Sequence, residues 1–290
     1  MNRKPLLIDT DPGIDDAIAL AIILHSKEYD VRLITSTAGN VGIDKTTKNI
    51  LKLLKFWNLD IPVAKGCARP LVRPEIDASG VHGDSGMDGY DFEEPDERLL
   101  LDVPAAVAIH QKIQESPDKV TMMAIGPLTN IALWLRLYPE DKEKVEEFVI
   151  MGGSMGRGNS GVLAEYNCHY DPEAAKILFD SGLPVVMMGL DVGLQALVYP
   201  EDSAKIKTFG RTGEMIYGLL QRYRGKGLKQ GLKMYDACAS AYLLKPELFG
   251  YVNAYVDVET SGAPPPRQRS RSAKRAPPSP FPGRMRWTPF

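Results

Sequence analysis

Apolar residues between positions 1 and 260 follow two alternating rhythms. Short β-branched and aliphatic runs, Pro5-Leu-Leu-Ile8, Val31–Ala38, Ile61–Ala64, Val120–Ile125, Phe148–Met151 and Pro184–Leu190, read as strands. Between them lie longer stretches whose apolar residues recur every three or four positions. These predict helices near Asp16–Ser26, Asp44–Trp57, Val103–Glu115, Leu128–Tyr138 and Pro172–Asp180. Ala204–Phe209, Gly213–Tyr223 and Asp236–Leu244 continue the helical pattern, and Tyr251–Val258 reads as a last strand. Strands that alternate with helices imply βαβ units and a sheet buried on both faces. The predicted fold class is α/β, an open and mostly parallel sheet with helices on both faces. No repeat of solenoid period interrupts it.

In such sheets ligands bind beyond the carboxyl ends of the strands. That rule singles out Asp9-Thr-Asp11-Pro-Gly-Ile-Asp-Asp16 after the first strand, Ala38-Gly-Asn40 after the second, Ile125-Gly-Pro after a middle strand and Met151-Gly-Gly after the next. Four aspartates within eight residues repel one another, and Pro12-Gly13 turns the chain so that they converge. Clustered carboxylates are costly unless a cation neutralises them, and an all-oxygen donor set suits Ca²⁺ or Mg²⁺. A plainer account, in which Asp15 and Asp16 only cap the next helix, covers one or two of the four.

Composition refines this picture. The 290 residues carry 35 Lys plus Arg against 37 Asp plus Glu, a net −2 that hides a segregation. Residues 261–290 hold seven of the basic residues, no acid and 8 of the 22 prolines, so 1–260 has 28 basic against 37 acidic residues, a net −9. An acidic body argues against nucleic acid as the partner. No apolar run is long enough for a membrane span, three cysteines show no C-x-x-C spacing, and Leu6–Ile8 is too short for a signal core. The expectation is a cytoplasmic protein with no membrane partner.

The motifs Asp9-Thr-Asp-Pro-Gly-Ile-Asp-Asp-Ala17, Ala38-Gly-Asn-Val41, His82-Gly-Asp-Ser-Gly-Met-Asp-Gly89, Ala124-Ile-Gly-Pro-Leu-Thr-Asn130, Met151-Gly-Gly, Gly158-Asn159, Ala164-Glu-Tyr-Asn167 and Asp171-Pro-Glu-Ala174 occur in one order. Together they resemble the inosine–uridine-preferring nucleoside hydrolases over about residues 5–260, and most resemble the broad-specificity bacterial ribonucleoside hydrolases. The resemblance implies a Ca²⁺-dependent enzyme that hydrolyses the N-glycosidic bond of ribonucleosides to ribose and a free base. It implies that Asp11, Asp16, Asp236 and the carbonyl of Ile125 ligate the metal, with Asp11 also the base that activates water. Asp15 and Asn40 would contact ribose hydroxyls, Asn159, Glu165 and Asn167 the remaining sugar hydroxyls, and His82 and Met151 would lie near the base or the sugar. Asp236 would also touch substrate, and Asp9 would stand behind the ligands. The family implies a homo-oligomer, a dimer or tetramer, and a small-molecule ribonucleoside as the partner.

Residue by residue the plainer roles stay open: Asn159 as a turn former, Glu165 and Asn167 as loop polars, His82 as a loop hydrogen-bonder, Tyr223 as a packing aromatic. Two departures stand out. Tyr235-Asp236 replaces the subgroup's His-Asp, so the candidate acid for the leaving base is a phenol of ordinary pKa near ~10 rather than an imidazole near ~6.5. From Ser261 a Pro/Arg-rich tract replaces the family pattern, read as a disordered tail, a polyproline or nucleic-acid arm, or, preferred, the product of a shifted reading frame. Two other functions are therefore carried. One is a catalytically impaired nucleoside-binding pseudoenzyme. The other is a haloacid-dehalogenase-type phosphatase, which also opens with Asp-x-Asp after a strand but does not match Pro12–Asp16 or the Gly158–Asn167 block.

Overall fold

The computed structural model of the chain describes residues 3–76, 79–261 and 284–286. Strand β1 (Lys4–Thr10) runs into helix α1 (Ile14–Leu24), and β2 (Tyr29–Ser36) into α2 (Ile43–Trp57). Then come β3 (Val63–Lys65), the single turn α3 (Ser79–His82), β4 (Leu100–Leu101) and α4 (Ala105–Glu115). They are followed by β5 (Val120–Ala124), α5 (Thr129–Leu137), β6 (Val145–Met151), α6 (Tyr166–Tyr170), α7 (Pro172–Phe179) and β7 (Val185–Met188). The last part contains α8 (Leu190–Gly193), β8 (Leu197–Val198), α9 (Pro200–Lys207), α10 (Gly210–Arg222), β9 (Leu232–Lys233), α11 (Tyr235–Leu244), β10 (Tyr251–Asn253) and β11 (Arg284–Arg286).

Nine strands form one sheet in the order β10-β11-β7-β6-β5-β1-β2-β3-β4. All neighbours are parallel except β10 and β11. The α/β reading therefore holds. Each central strand is buried on both faces, and alternation sorts its side chains. Leu6, Ile8, Ile34, Met123, Val149 and Val186 join the apolar core beneath α1, α2, α10 and α11. Leu7, Leu33, Met122, Phe148, Ile150 and Val185 join a second core beneath α4, α5 and α7. Two-sided burial is why these strands read as continuous apolar runs.

The strand order reverses between β1 and β5, since β2 to β4 lie on one side of β1 and β5 to β7 on the other. A switch point of this kind opens a crevice at the carboxyl ends of the two strands. The loops after β1, β2, β5 and β6 all reach that crevice. Asp171 ties α5 and α7 to the loop after β3. It is fully buried, caps α7 through the Ala174 N–H at 3.0 Å, and accepts from Thr129 Oγ1 at 2.7 Å and Leu71 N at 2.9 Å.

The last predicted strand is shorter than its pattern. Only Tyr251–Asn253 pairs, while Ala254, Val256 and Val258 turn toward the second core with Tyr255 and Asp257 exposed. The period-two pattern there reflects packing rather than a hydrogen-bonded ladder. The short elements β4, α6, α8, β8 and β9 escaped prediction because two to five residues carry too little periodicity. Of the Pro/Arg-rich segment, residues 262–283 and 287–290 lie outside the described residues, so the expectations for that tract are not addressed there. The backbone of Arg284–Arg286 lies between β10 and β7. Among the described residues no helix is long and apolar enough to cross a membrane.

Replacing Asp171 with Ala leaves two buried donors and one half-buried donor without their acceptor and removes a helix cap. Urea unfolding should show a loss of about 2–4 kcal/mol relative to the parent chain.

Candidate active site

The turn Asp11-Pro12-Gly13 carries the chain from β1 into α1 and sets four carboxylates close together. Asp9 points back into the sheet. Its Oδ1 accepts from Thr35 Oγ1 and from Asn130 Nδ2 at 2.8 Å, and burial raises its pKa to about 7. Asp16 stands in the first turn of α1, where the helix N-terminus favours a negative charge. It accepts from Thr10 Oγ1 at 2.7 Å, Gly13 N at 2.9 Å and Asn40 Nδ2 at 3.0 Å. Even so, burial and then the Asp15 charge raise it to about 6. Asp236, at the start of α11, comes within hydrogen-bonding reach of Asp16. Its pKa is lifted well above the usual carboxylate range by burial, and further by Asp15, Asp16 and Asp11.

Asp11 shares this crowding. Burial first, and then Asp16, hold its pKa well above the ordinary value. Its Oδ2 accepts from Asn40 N at 2.7 Å, but Oδ1 is buried and has no hydrogen-bond partner. Glycines on both sides make this position possible. A Cβ at Gly39 would collide with Asp11 Oδ2, and one at Gly126 would lie 2.5 Å from Oδ1.

Oxygens of Asp15, Asp16 and Asp236 lie within 4.8 Å of one another, a grouping that can hold a metal ion. The set is all carboxylate, and the adjacent Asp11 Oδ1 is an orphaned buried acceptor, so the residues present fit a hard divalent cation. Among the described residues, His82 does not supply that counter-charge. His82 Nδ1 lies 3.9 Å from Asp15 Oδ1 but accepts the Ile14 N–H at 3.1 Å, so that nitrogen carries no proton. Burial also pushes the His82 pKa down.

A cleft of about 130 Å³ opens above the cluster. Asp15, Asn40, His82, Ile125, Met151, Asn159, Glu165, Asn167, Tyr235 and Asp236 all line it, together with Val81, Tyr166 and Arg224. Every sequence-assigned site residue except Asp11 and Asp16 thus faces the cleft, and those two lie beneath it. Asn167 Nδ2 bridges the carbonyls of Ile125 at 3.1 Å and Met151 at 3.0 Å, joining the ends of β5 and β6. Glu165 caps α6. Its carboxylate accepts from Asn167 N at 2.9 Å, Gly153 N at 3.0 Å and Cys168 N at 3.1 Å, while burial raises its pKa. Asn159 Oδ1 accepts from Tyr166 N at 2.9 Å, so this residue serves both the loop and the cleft wall.

The metal-sized grouping includes Asp15, which the sequence reading gave to ribose. Asp15 Oδ2 already accepts the Tyr223 hydroxyl at 2.8 Å. Tyr223 is fully buried, and its ring lies 5.5 Å from that of His82. The sequence left it undecided between wall and packing, and the contact gives it a polar duty as well. Sequence reasoning missed Tyr166 and Arg224. The Arg224 guanidinium lies 5.2 Å from the Tyr223 ring and 5.4 Å from the Tyr235 ring, on a backbone with φ of 50°. No periodicity marks it, and only the fold brings it to the cleft. His169 bonds Ser160 Oγ at 2.8 Å, a loop contact outside the cleft lining.

An α/β sheet with a buried carboxylate cluster and an amide-lined cleft at its switch point fits metal-assisted hydrolysis of a small polar molecule. The comparisons narrow that class. The profile of the inosine–uridine preferring nucleoside hydrolase family matches residues 6–275, running past the Thr260 boundary drawn from the sequence. The chain is 51% identical over 260 residues to the non-specific ribonucleoside hydrolase RihC of Escherichia coli O127:H6, covering 90% of this chain and 85% of that one. Among solved structures, the plant nucleoside hydrolase PpNRh1 superposes with a TM-score of 0.87 at 29% identity, covering 99% of this chain and 95% of that one. The purine-preferring ribonucleoside hydrolase of Gardnerella vaginalis gives 0.84 at 29% identity, covering 89% and 85%. The chain belongs to the inosine–uridine preferring nucleoside hydrolase family, and is an enzyme of that family rather than a haloacid-dehalogenase-type phosphatase.

The folded pKa of Asp236 lies above its unfolded value, so its ionised form costs stability at neutral pH, and the cost fades as pH falls. In chelator at pH 7, Asp236→Asn should unfold at a higher denaturant concentration than the parent, with the gap closing toward pH 4. Millimolar Ca²⁺ should reverse the order by stabilising the parent more.

Proposed function

We propose that this enzyme hydrolyses the N-glycosidic bond of ribonucleosides, releasing ribose and a free purine or pyrimidine base, with Ca²⁺ held by Asp11, Asp16, Asp236 and the Ile125 carbonyl. The observation that carries this reading is the unpartnered Asp11 Oδ1, buried beside the Asp15–Asp16–Asp236 cluster under a cleft lined by amides and carboxylates. When bound, the cation supplies a template for the ribose diol and lowers the pKa of a water nearby.

The chain's own groups do the rest. Asp11 Oδ1 accepts a proton from the attacking water, because Oδ2 is committed to the Asn40 N–H. Asp15, held by Tyr223, and Asn40, held against Asp11 and Asp16, receive ribose hydroxyls. Asn159, Glu165 and Asn167 hold the far side of the sugar, and their oxygens stabilise the positive charge that develops as the bond to the base breaks. His82 and Met151 flank the sugar and base.

Tyr235 occupies the place expected of a proton donor to the leaving base. Burial raises its pKa further, so at neutral pH it keeps its proton and donates it poorly. Departure of the base therefore depends more on the base's own stability as an anion, and purines suffer most. The non-catalytic alternative, a nucleoside-binding pseudoenzyme, shares every binding contact and differs only in turnover.

Two measurements test this. In a panel of ribonucleosides, the chain should release base with Ca²⁺ present and lose that activity in EDTA; binding of a ribose transition-state mimic without base release from any nucleoside would leave the pseudoenzyme. Tyr235→His should raise the rate on inosine by about tenfold or more, and on uridine by less. An unchanged rate on both would remove the leaving-group argument.

A further inference from the structure

Tyr166 is the second residue of the Glu165-Tyr-Asn167 segment, and its ring lines the cleft. Its hydroxyl reaches the Gly39 carbonyl at 2.8 Å and the Ile76 carbonyl at 3.0 Å. The Gly39 carbonyl and the Asn40 N–H belong to one planar peptide unit. That N–H donates to Asp11 Oδ2 at 2.7 Å. The chain of contacts therefore runs Tyr166 O–H, Gly39 C=O, Asn40 N–H, Asp11 Oδ2. A donor on the carbonyl fixes the tilt of the peptide plane and polarises its N–H, which strengthens the bond beyond it.

This unit controls the Asp11 carboxylate. Gly39 and Gly126 crowd its two oxygens, and the Asn40 N–H engages Oδ2. Oδ1 is then left without a partner. Asn40 also sends its side-chain amide to Asp16 Oδ2 at 3.0 Å and to the Asp11 carbonyl at 3.1 Å, so a tilt of the 39–40 peptide would disturb both carboxylates.

We infer that Tyr166 is a positioning residue for the hydrolytic step: its hydroxyl holds the Gly39–Asn40 peptide so that Asp11 presents Oδ1 to water. The inference rests on the function proposed above. It assigns the hydroxyl to the reacting carboxylate, not to the sugar, and so separates the kinetic constants. The Ile76 contact offers a competing role, since that segment leads to α3 and His82 on the wall of the cleft. Anchoring that wall would act on substrate affinity instead.

The test is Tyr166→Phe, which removes one oxygen and keeps the ring, assayed on uridine and inosine beside the parent chain at saturating Ca²⁺. Loss of alignment at Asp11 lowers kcat by about tenfold or more, with KM within about threefold of the parent. Placing 3-fluorotyrosine at 166, which restores the donor in nearly the same space, should bring kcat back to within about twofold of the parent. A Tyr166→Phe enzyme with kcat within about twofold of the parent, or one whose loss lies wholly in KM, overturns the inference while leaving the proposed function standing. A parent chain that releases no base from either nucleoside overturns the function itself, and the inference with it.

Discussion

The crowding of carboxylates at the carboxyl end of β1 is the constraint on which the rest of the structure depends. Asp11, Asp15, Asp16 and Asp236 are all buried, and three of them have raised pKa values because burial and mutual repulsion disfavour their charge. A fold does not retain such a cluster for stability, since carboxylates without a counter-charge cost free energy. The protein spends its hydrogen bonds here selectively. Among the described residues, Asp16 accepts from Thr10, Gly13 and Asn40, Asp15 from a buried tyrosine, and Asp11 from Asn40 on one oxygen. What is left over, an acceptor on Asp11 and a knot of oxygens on α1 and α11, has the shape of a cation's demand.

The surrounding elements divide the work. The β1 turn and α1 carry the acids, and α11 brings Asp236 across from the far end of the chain. The β2 loop supplies Asn40 to hold Asp11 and Asp16. The ends of β5 and β6 are tied by Asn167, and Glu165 locks α6 to the Gly153 backbone. Two of the carboxyl-end loops thus grip the acids and two shape the cleft.

Much of this was legible in the sequence, for identifiable reasons. Strands buried on both faces write continuous apolar runs, so β1, β2, β5, β6 and β7 were plain, and the strand-end rule located the site. Asp9 to Asp16 announced itself by repulsion alone. Residues whose function depends on a partner far along the chain were not legible. Tyr223 meets Asp15 across 208 positions, and Tyr166 meets Gly39 across 127. Neither has a local pattern that distinguishes a positioned hydroxyl from an ordinary packing aromatic. Arg224 is marked only by its positive φ, a property of the folded backbone. Tyr251–Val258 misled in the other direction, because alternation records which side a residue faces and not whether a neighbouring strand is present.

The central claim is that the buried acids are completed by one cation. Isothermal titration of Ca²⁺ into chelator-treated protein at pH 7 tests it directly. The account predicts one saturable site per chain, with heat that does not depend on a second, weaker class of sites. A titration with no saturable heat at millimolar Ca²⁺ would contradict it.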